Sequence, residues 1–107
     1  MLKQMEVRNM MTFEKVLEVF ADYLREDTDC EVIQTRHGYT VLIWDSRAQD
    51  WETCEYCPTP ETLRDRLARA YDDFAELKLT GGERELTGEE RSQIDAERNR
   101  LKEICGE

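Results

Sequence analysis

The stretch Tyr39-Thr-Val-Leu-Ile-Trp-Asp45 is the densest apolar run of the chain, and Trp51-Glu-Thr-Cys-Glu-Tyr-Cys-Pro-Thr-Pro-Glu61 follows it closely. Its β-branched and aromatic residues predict a strand. The second segment predicts a further strand over Trp51–Tyr56 and then the start of a helix. The rest of the chain is expected to form helices that cover this sheet.

The residues before this stretch predict a β-hairpin. Cys30–Arg36 has the composition of a strand, and His37-Gly38 separates it from the apolar run. Glycine supplies the positive φ that such a turn requires. A two-residue turn at this place pairs Ile33 with Leu42 on one face of the sheet and Val32 with Ile43 on the other. One face is expected to be core, and the second to be partly covered or exposed.

Three helices are predicted from apolar residues at helical spacing and from capping residues. The first covers Phe13–Arg25 and is capped by Thr12. The second covers Pro60–Leu79, with a threonine cap before the proline at its first position and a glycine pair after its end. The third covers Glu89–Ile104 and begins with a capping box, Thr87-Gly-Glu-Glu.

Together these elements predict an α+β fold with an N-terminal helix, a three-stranded antiparallel meander and two C-terminal helices packed mainly on one sheet face. Residues 1–10 are weakly patterned and are predicted to be a mobile leader, or else an extra edge segment. Residues 11–107 are predicted to form a single α+β domain.

The composition excludes several classes of function. The chain of 107 residues carries a net charge of −10, spread along its length rather than clustered. Nucleic-acid binding is not expected, because phosphate contacts require a clustered cationic face. No apolar run approaches the length of a membrane span, and no secretory signal is present, so no membrane partner and a cytoplasmic location are expected.

The cysteine pair Cys54-Glu-Tyr-Cys57 leaves three interpretations open. The two thiols could form a redox dithiol, but redox folds place the first cysteine directly at a helix N-terminus, and here the helix begins after Thr59. They could belong to a zinc site, for which only Cys30, Cys105 and the single histidine remain as further ligands. They could also be small apolar residues at the end of a strand.

No arrangement of residues predicts catalysis. The only histidine, His37, lies at a hairpin tip, whereas a general base needs a cleft and an orienting partner. Carboxylate pairs such as Asp72-Asp73 have the spacing of a solvated helix face. The chain is therefore predicted not to be an enzyme and to hold no catalytic residue, cofactor or metal.

The aromatic residues Trp44, Trp51 and Tyr56 are the candidate interface. On a sheet covered on both faces they would be core residues. On a sheet with one open face they would form an exposed apolar patch, which is typical of a contact surface.

Three segments carry a resemblance: Met11-Thr-Phe-Glu-Lys-Val-Leu, Gly38-Tyr-Thr-Val-Leu-Ile-Trp-Asp45, and Cys57-Pro-Thr-Pro-Glu61 with Leu63 and Leu67. Over about residues 11–105 the chain resembles a group of short uncharacterised proteins of gut anaerobic bacteria, often encoded in mobile or phage-derived regions. The shared motifs are structural signals, so the resemblance implies no activity and no site residues.

These observations favour a small acidic interaction module that is not an enzyme, either a homodimer or a binder of a host or mobile-element protein. One alternative is an acidic inhibitor that mimics nucleic acid and blocks a DNA-binding enzyme. Another is a small zinc or dithiol protein that acts through Cys54 and Cys57.

Overall fold

The computed structural model describes residues 11–106, so the predicted leader, residues 1–10, lies outside the described part of the chain. The predicted α+β class with a three-stranded antiparallel sheet is confirmed. In chain order the elements are α1 (Phe13–Val19), α2 (Ala21–Glu26), β1 (Cys30–Thr35), β2 (Gly38–Asp45), β3 (Asp50–Cys57), α3 (Pro60–Thr80) and α4 (Gly88–Cys105).

The predicted first helix is two helices, because the backbone leaves the helical conformation at Phe20 (φ −92°, ψ 7°). Backbone bonds from Phe20 to Val16 (3.1 Å) and from Leu24 to Phe20 (2.9 Å) continue across the break, so the two helices form one distorted rod. Phe20 is fully buried. Neither proline nor glycine marks the break, and the hydrophobic spacing on both sides of it is that of a single helix.

The two C-terminal helices begin and end where their capping residues predict. Thr59 accepts a hydrogen bond from the backbone N–H of Thr62 (3.2 Å), and the proline at the first helical position has no N–H to satisfy. Gly81 ends α3 in the left-handed conformation, with φ 64°. A reciprocal pair of hydrogen bonds between Thr87 and Glu90 starts α4, as the capping box predicts.

The strands form a meander in the order β1-β2-β3, and the predicted hairpin is confirmed with a different register. The turn residues are Arg36 and His37, while Gly38 opens β2 opposite Thr35. Ile33 therefore pairs with Thr40, two residues from the predicted partner. A shift of two residues leaves each side chain on its predicted face, because side chains alternate along a strand.

Position 38 requires a glycine because a residue distant in sequence approaches it closely. Its φ is 140°, and a Cβ atom at this position would lie 2.7 Å from the carbonyl oxygen of Cys57. The end of β3 therefore packs directly on the backbone of β2. The glycine serves this close approach rather than the turn itself.

A β-bulge interrupts the pairing of β2 with β3. Ile43 pairs with Thr53 and Trp44 pairs with Trp51, so Glu52 is an extra residue on β3. Strict alternation from Thr53 would place Trp51 on the same face as Thr53. The inserted residue instead turns Trp51 to the opposite face, beside Trp44.

One face of the sheet, here called the inner face, contributes four residues to the buried cluster. Cys30, Tyr39, Val41 and Cys57 from this face belong to one buried cluster. The helices contribute the remaining buried members: Val16, Phe20, Tyr23, Leu63, Leu67, Ala68, Ala70, Leu101 and Cys105.

The inner face also carries an ion pair to α3. Glu55 contacts the buried Arg66 (3.1 Å) and the more exposed Arg69 (3.0 Å). Both arginines lie on α3, and together they balance the charge of the Glu55 carboxylate.

Candidate functional site

The opposite side of the sheet, the outer face, is defined by the pairing register. It carries the side chains of Glu31, Ile33, Thr35, Thr40, Leu42, Trp44, Trp51, Cys54 and Tyr56. None of these residues belongs to the buried cluster of the inner face.

All three predicted interface aromatics lie on this outer face. The rings of Trp44 and Trp51 meet edge to face, with centroids 5.0 Å apart and planes at 78°. Trp51 is 41% exposed and Tyr56 is 51% exposed, while Trp44 is half-buried. Trp51 and Tyr56 are therefore surface residues and do not belong to the core.

Tyr56 is held in place by the hairpin. Its hydroxyl donates a hydrogen bond to the carbonyl oxygen of His37 at 2.6 Å. Its ring borders Gly38, at 3.5 Å from the position that a Cβ atom would occupy there. The ring is therefore exposed but already restricted in its motion. A partner that binds the ring would cause only a small further loss of side-chain conformational entropy.

Two aliphatic residues also lie on this face, and neither was predicted to be an interface residue. Ile33 on β1 is 49% exposed, whereas Leu42 at the centre of the face is only 7% exposed because its neighbours cover it. Both were predicted to share a face. The sequence alone did not show which of the two faces contributes to the buried cluster.

The outer face also carries few charges. Among the described residues that are regularly paired on it, Glu31 is the only carboxylate, and the bulge adds the Glu52 carboxylate beside Trp51, on a chain that carries a net charge of −10. The remaining members are apolar side chains, two threonines and one thiol. A largely apolar surface with few charges on a strongly acidic protein is typical of a contact surface.

The two cysteines of the C-x-x-C pattern lie on opposite faces of β3. Residues three apart in a strand point in opposite directions, so Cys54 is exposed on the outer face and Cys57 is buried on the inner face. Burial raises the pKa of the Cys57 thiol, and the nearby Glu55 carboxylate raises it further. This arrangement opposes both a dithiol and a shared metal ion, since the two sulfur atoms cannot meet without breaking the strand.

The other candidate ligands do not come together either. Within residues 11–106, no group of three or more histidine, cysteine or acidic side chains is placed to hold a metal ion. His37 lies in the exposed hairpin turn, where its carbonyl group rather than its imidazole makes the contact with Tyr56.

Acidic and basic side chains alternate on the two long helices. Asp72 on α3 pairs with Arg98 on α4 at 2.7 Å, and Arg98 also contacts Asp95 at 3.0 Å. Arg100 pairs with Glu97 at 2.7 Å. These ion pairs interrupt the rows of carboxylates that mimicry of a nucleic-acid backbone would require, and they weigh against that alternative.

Two clefts on the helical side have charged walls. One, of about 440 Å³, is lined by Tyr23, Tyr71, Glu97 and Arg100, among others, and the last two neutralise each other. The other, of about 500 Å³, lies between α3 and α4 and is lined largely by ion-paired side chains such as Asp72 and Arg98. Neither brings an activated nucleophile beside a base, so the outer face is the stronger candidate for function.

No protein family, curated protein or solved structure matches the chain. The resemblance to short proteins of gut anaerobes therefore stays a prediction. Along the described part of the chain, no helix combines the length and the apolar character needed to cross a membrane.

Proposed function

We propose that the protein is a non-enzymatic protein-interaction module that binds a protein partner through the outer face of its sheet. The helices cover only the inner face in this proposal. The observation that carries it is the presence of three half-exposed apolar side chains, Ile33, Trp51 and Tyr56, on one face with few charges in an acidic protein.

These three residues lie on the same face of the sheet, which weighs against the alternative that they are ordinary surface residues. Scattered exposed apolar residues need no explanation, whereas a contiguous group does. Tryptophan and tyrosine are enriched in protein interfaces, because their rings bury a large area at a low cost in conformational entropy. The four cysteines are all free, which supports the cytoplasmic location that is part of the proposal.

The area of the outer face limits how large a protein interface it can form. Strands of six, eight and eight residues, about 4.8 Å apart and at about 3.3 Å per residue, give a projected area of about 350 Å². A stable interface buries about 800 Å² on each partner. Face-to-face packing of two copies would therefore be weak, whereas an element laid along the strands, such as a helix, fits the width of the sheet.

Affinity capture with matched variants tests the proposal. Wild-type protein, the outer-face variants Trp51→Ser and Ile33→Ser, and the off-face variants Leu77→Ser and Leu79→Ser are immobilised and exposed to an extract of the cells that make the protein. Leu77 (59%) and Leu79 (44%) are as exposed as the outer-face residues but lie on α3, so they control for a general loss of surface hydrophobicity. Equal thermal midpoints establish that the variants are folded.

The proposal expects wild type and both off-face variants to retain the same protein, and both outer-face variants to lose it. Loss of one large interface side chain typically costs about 2 kcal/mol or more, which is roughly a thirtyfold weaker complex. Identical retention by all five proteins would contradict the proposal.

A further inference from the structure

Within residues 11–106, no strand lies beside the outer edge of β1. Trp44 donates its backbone N–H to the carbonyl oxygen of Asp29 (2.9 Å), which makes this a hydrogen-bonded pair. Hydrogen-bonded and non-hydrogen-bonded pairs alternate in an antiparallel ladder, so the even-numbered residues Cys30, Val32 and Gln34 direct their backbone groups away from β2. The Cys30 N–H is bonded to Asp27 at 3.3 Å, while within residues 11–106 those of Val32 and Gln34 have no backbone partner.

The two edges of the sheet differ in their protection. The edge strand β3 contains three carboxylates, Asp50, Glu52 and Glu55, and the bulge at Glu52 twists it. Charges and bulges of this kind prevent a sheet edge from pairing with another strand. The edge strand β1 has one charged residue, Glu31, with no proline and no bulge. It is therefore the edge that is open to pairing.

We propose that two copies of the chain pair antiparallel through β1 and form a continuous six-stranded sheet. The register that follows centres on Val32, which lies opposite the partner's Val32, and brings Gln34 opposite the partner's Cys30. About four intermolecular backbone hydrogen bonds form, two at each kind of pair.

Electrostatics disfavour the register centred on Glu31 for a chain of net charge −10 and allow the one centred on Val32. Centring on Val32 places Glu31 opposite the partner's Ile33, so that no like charges face each other across the junction. Centring on Glu31 would bring the two carboxylates directly together. An edge with so little charge is where two acidic chains can approach at the lowest electrostatic cost.

The pairing also enlarges the proposed docking surface, and in this respect it rests on the proposed function. A two-fold axis perpendicular to the sheet brings the two outer faces to the same side. The projected area doubles to about 700 Å², close to the roughly 800 Å² that one partner contributes to a stable interface. The Ile33 side chains of both copies then lie beside the junction.

Sedimentation equilibrium from micromolar to millimolar chain concentration tests the dimer with two matched proline variants. Gln34→Pro removes an N–H from the β1 edge, and Cys54→Pro removes one from the β3 edge. In both cases the lost N–H points away from β2, so the internal ladder keeps its bonds. Gln34→Pro is expected to raise the dissociation constant of the dimer at least about tenfold, because two of about four intermolecular bonds are lost, while Cys54→Pro leaves it unchanged.

Hydrogen exchange on the wild-type chain tests the same inference without a substitution. The amides of Val32 and Gln34 are expected to exchange slowly at high concentration and rapidly on dilution, and those of Cys54 and Tyr56 rapidly throughout. A wild-type chain that stays monomeric, equal weakening by both prolines, or protection of β1 that persists on dilution would each overturn the dimer. The capture experiment judges outer-face binding separately, since neither proline removes Ile33 or Trp51.

Discussion

Replacing Gly38 by alanine tests the packing of β3 on the hairpin. The native φ of 140° lies in a region that residues with a Cβ atom rarely adopt, and the strain costs of order 1–3 kcal/mol. The new Cβ atom would also lie 2.7 Å from a backbone oxygen, that of Cys57, which cannot rotate away as a flexible side chain could. Strain and displacement together are expected to cost about 2–4 kcal/mol.

Two other glycines separate the cost of backbone strain from the cost of the close contact. Gly81 has a φ of 64° and nothing within 4 Å of an added Cβ atom, so Gly81→Ala is expected to cost about 1 kcal/mol from strain alone. Gly88 begins α4 with neither a positive φ nor a close neighbour, so Gly88→Ala is expected to change stability by at most about 0.5 kcal/mol or to increase it.

Thermal and urea unfolding followed by circular dichroism measures the series. A loss of about 1 kcal/mol lowers the melting temperature of a domain of this size by roughly 4–6 °C, so Gly38→Ala is expected to melt about 10–20 °C below wild type. The order of loss should be Gly38, then Gly81, then Gly88. A Gly38→Ala variant no less stable than Gly81→Ala would refute the close contact between β2 and the end of β3.

Three further outcomes follow from burial and charge. Leu67→Ala should cost about 2–5 kcal/mol in urea unfolding because Leu67 is fully buried, whereas Leu77→Ala on the same helix should cost less than about 0.5 kcal/mol. A thiol reagent should modify Cys54 rapidly in the native protein, and the three buried thiols only after unfolding; rapid reaction of more than one thiol would contradict the burial pattern. The hydrogen bond from Arg84 and the backbone N–H at the start of α4 lower the pKa of Glu90 from 4.5 to about 2. The ionised Glu90 therefore stabilises the fold above pH 4.5, and this stabilisation is lost as the pH falls towards 2. The unfolding free energies of wild type and Glu90→Gln should converge over that interval. A constant difference between the two proteins across this pH range would contradict the role of Glu90.

Signals that act over a few residues were sufficient to predict the helices. The threonine caps and the glycine pair fix the ends of α3 and α4 through hydrogen bonds within three or four positions. The break at Phe20 has no such signal, since the apolar spacing continues through it.

The sheet depends on contacts between distant residues, and there the prediction was incomplete. The predicted hairpin register was wrong by two residues. The prediction placed Gly38 in the turn, whereas Gly38 is the first residue of β2 and allows the close approach of Cys57 on another strand. The bulge at Glu52 is visible only once β2 and β3 are paired, yet it is what places Trp51 beside Trp44. The opposite faces of Cys54 and Cys57 were not predicted, because the predicted strand ended at Tyr56, whereas β3 extends to Cys57.

The most direct test of an outer-face contact is photo-cross-linking from Cys54, the exposed thiol at the centre of β3. A photoreactive maleimide is attached there and, as a control, to Leu77→Cys in a Cys54→Ser chain. Each is irradiated in cell extract with an excess of unlabelled wild type or Trp51→Ser. The proposal predicts a cross-linked protein from Cys54 only, abolished by wild-type competitor and retained with Trp51→Ser. Equal cross-linking from both positions, or equal competition by both proteins, would contradict the assignment of the outer face as the contact surface.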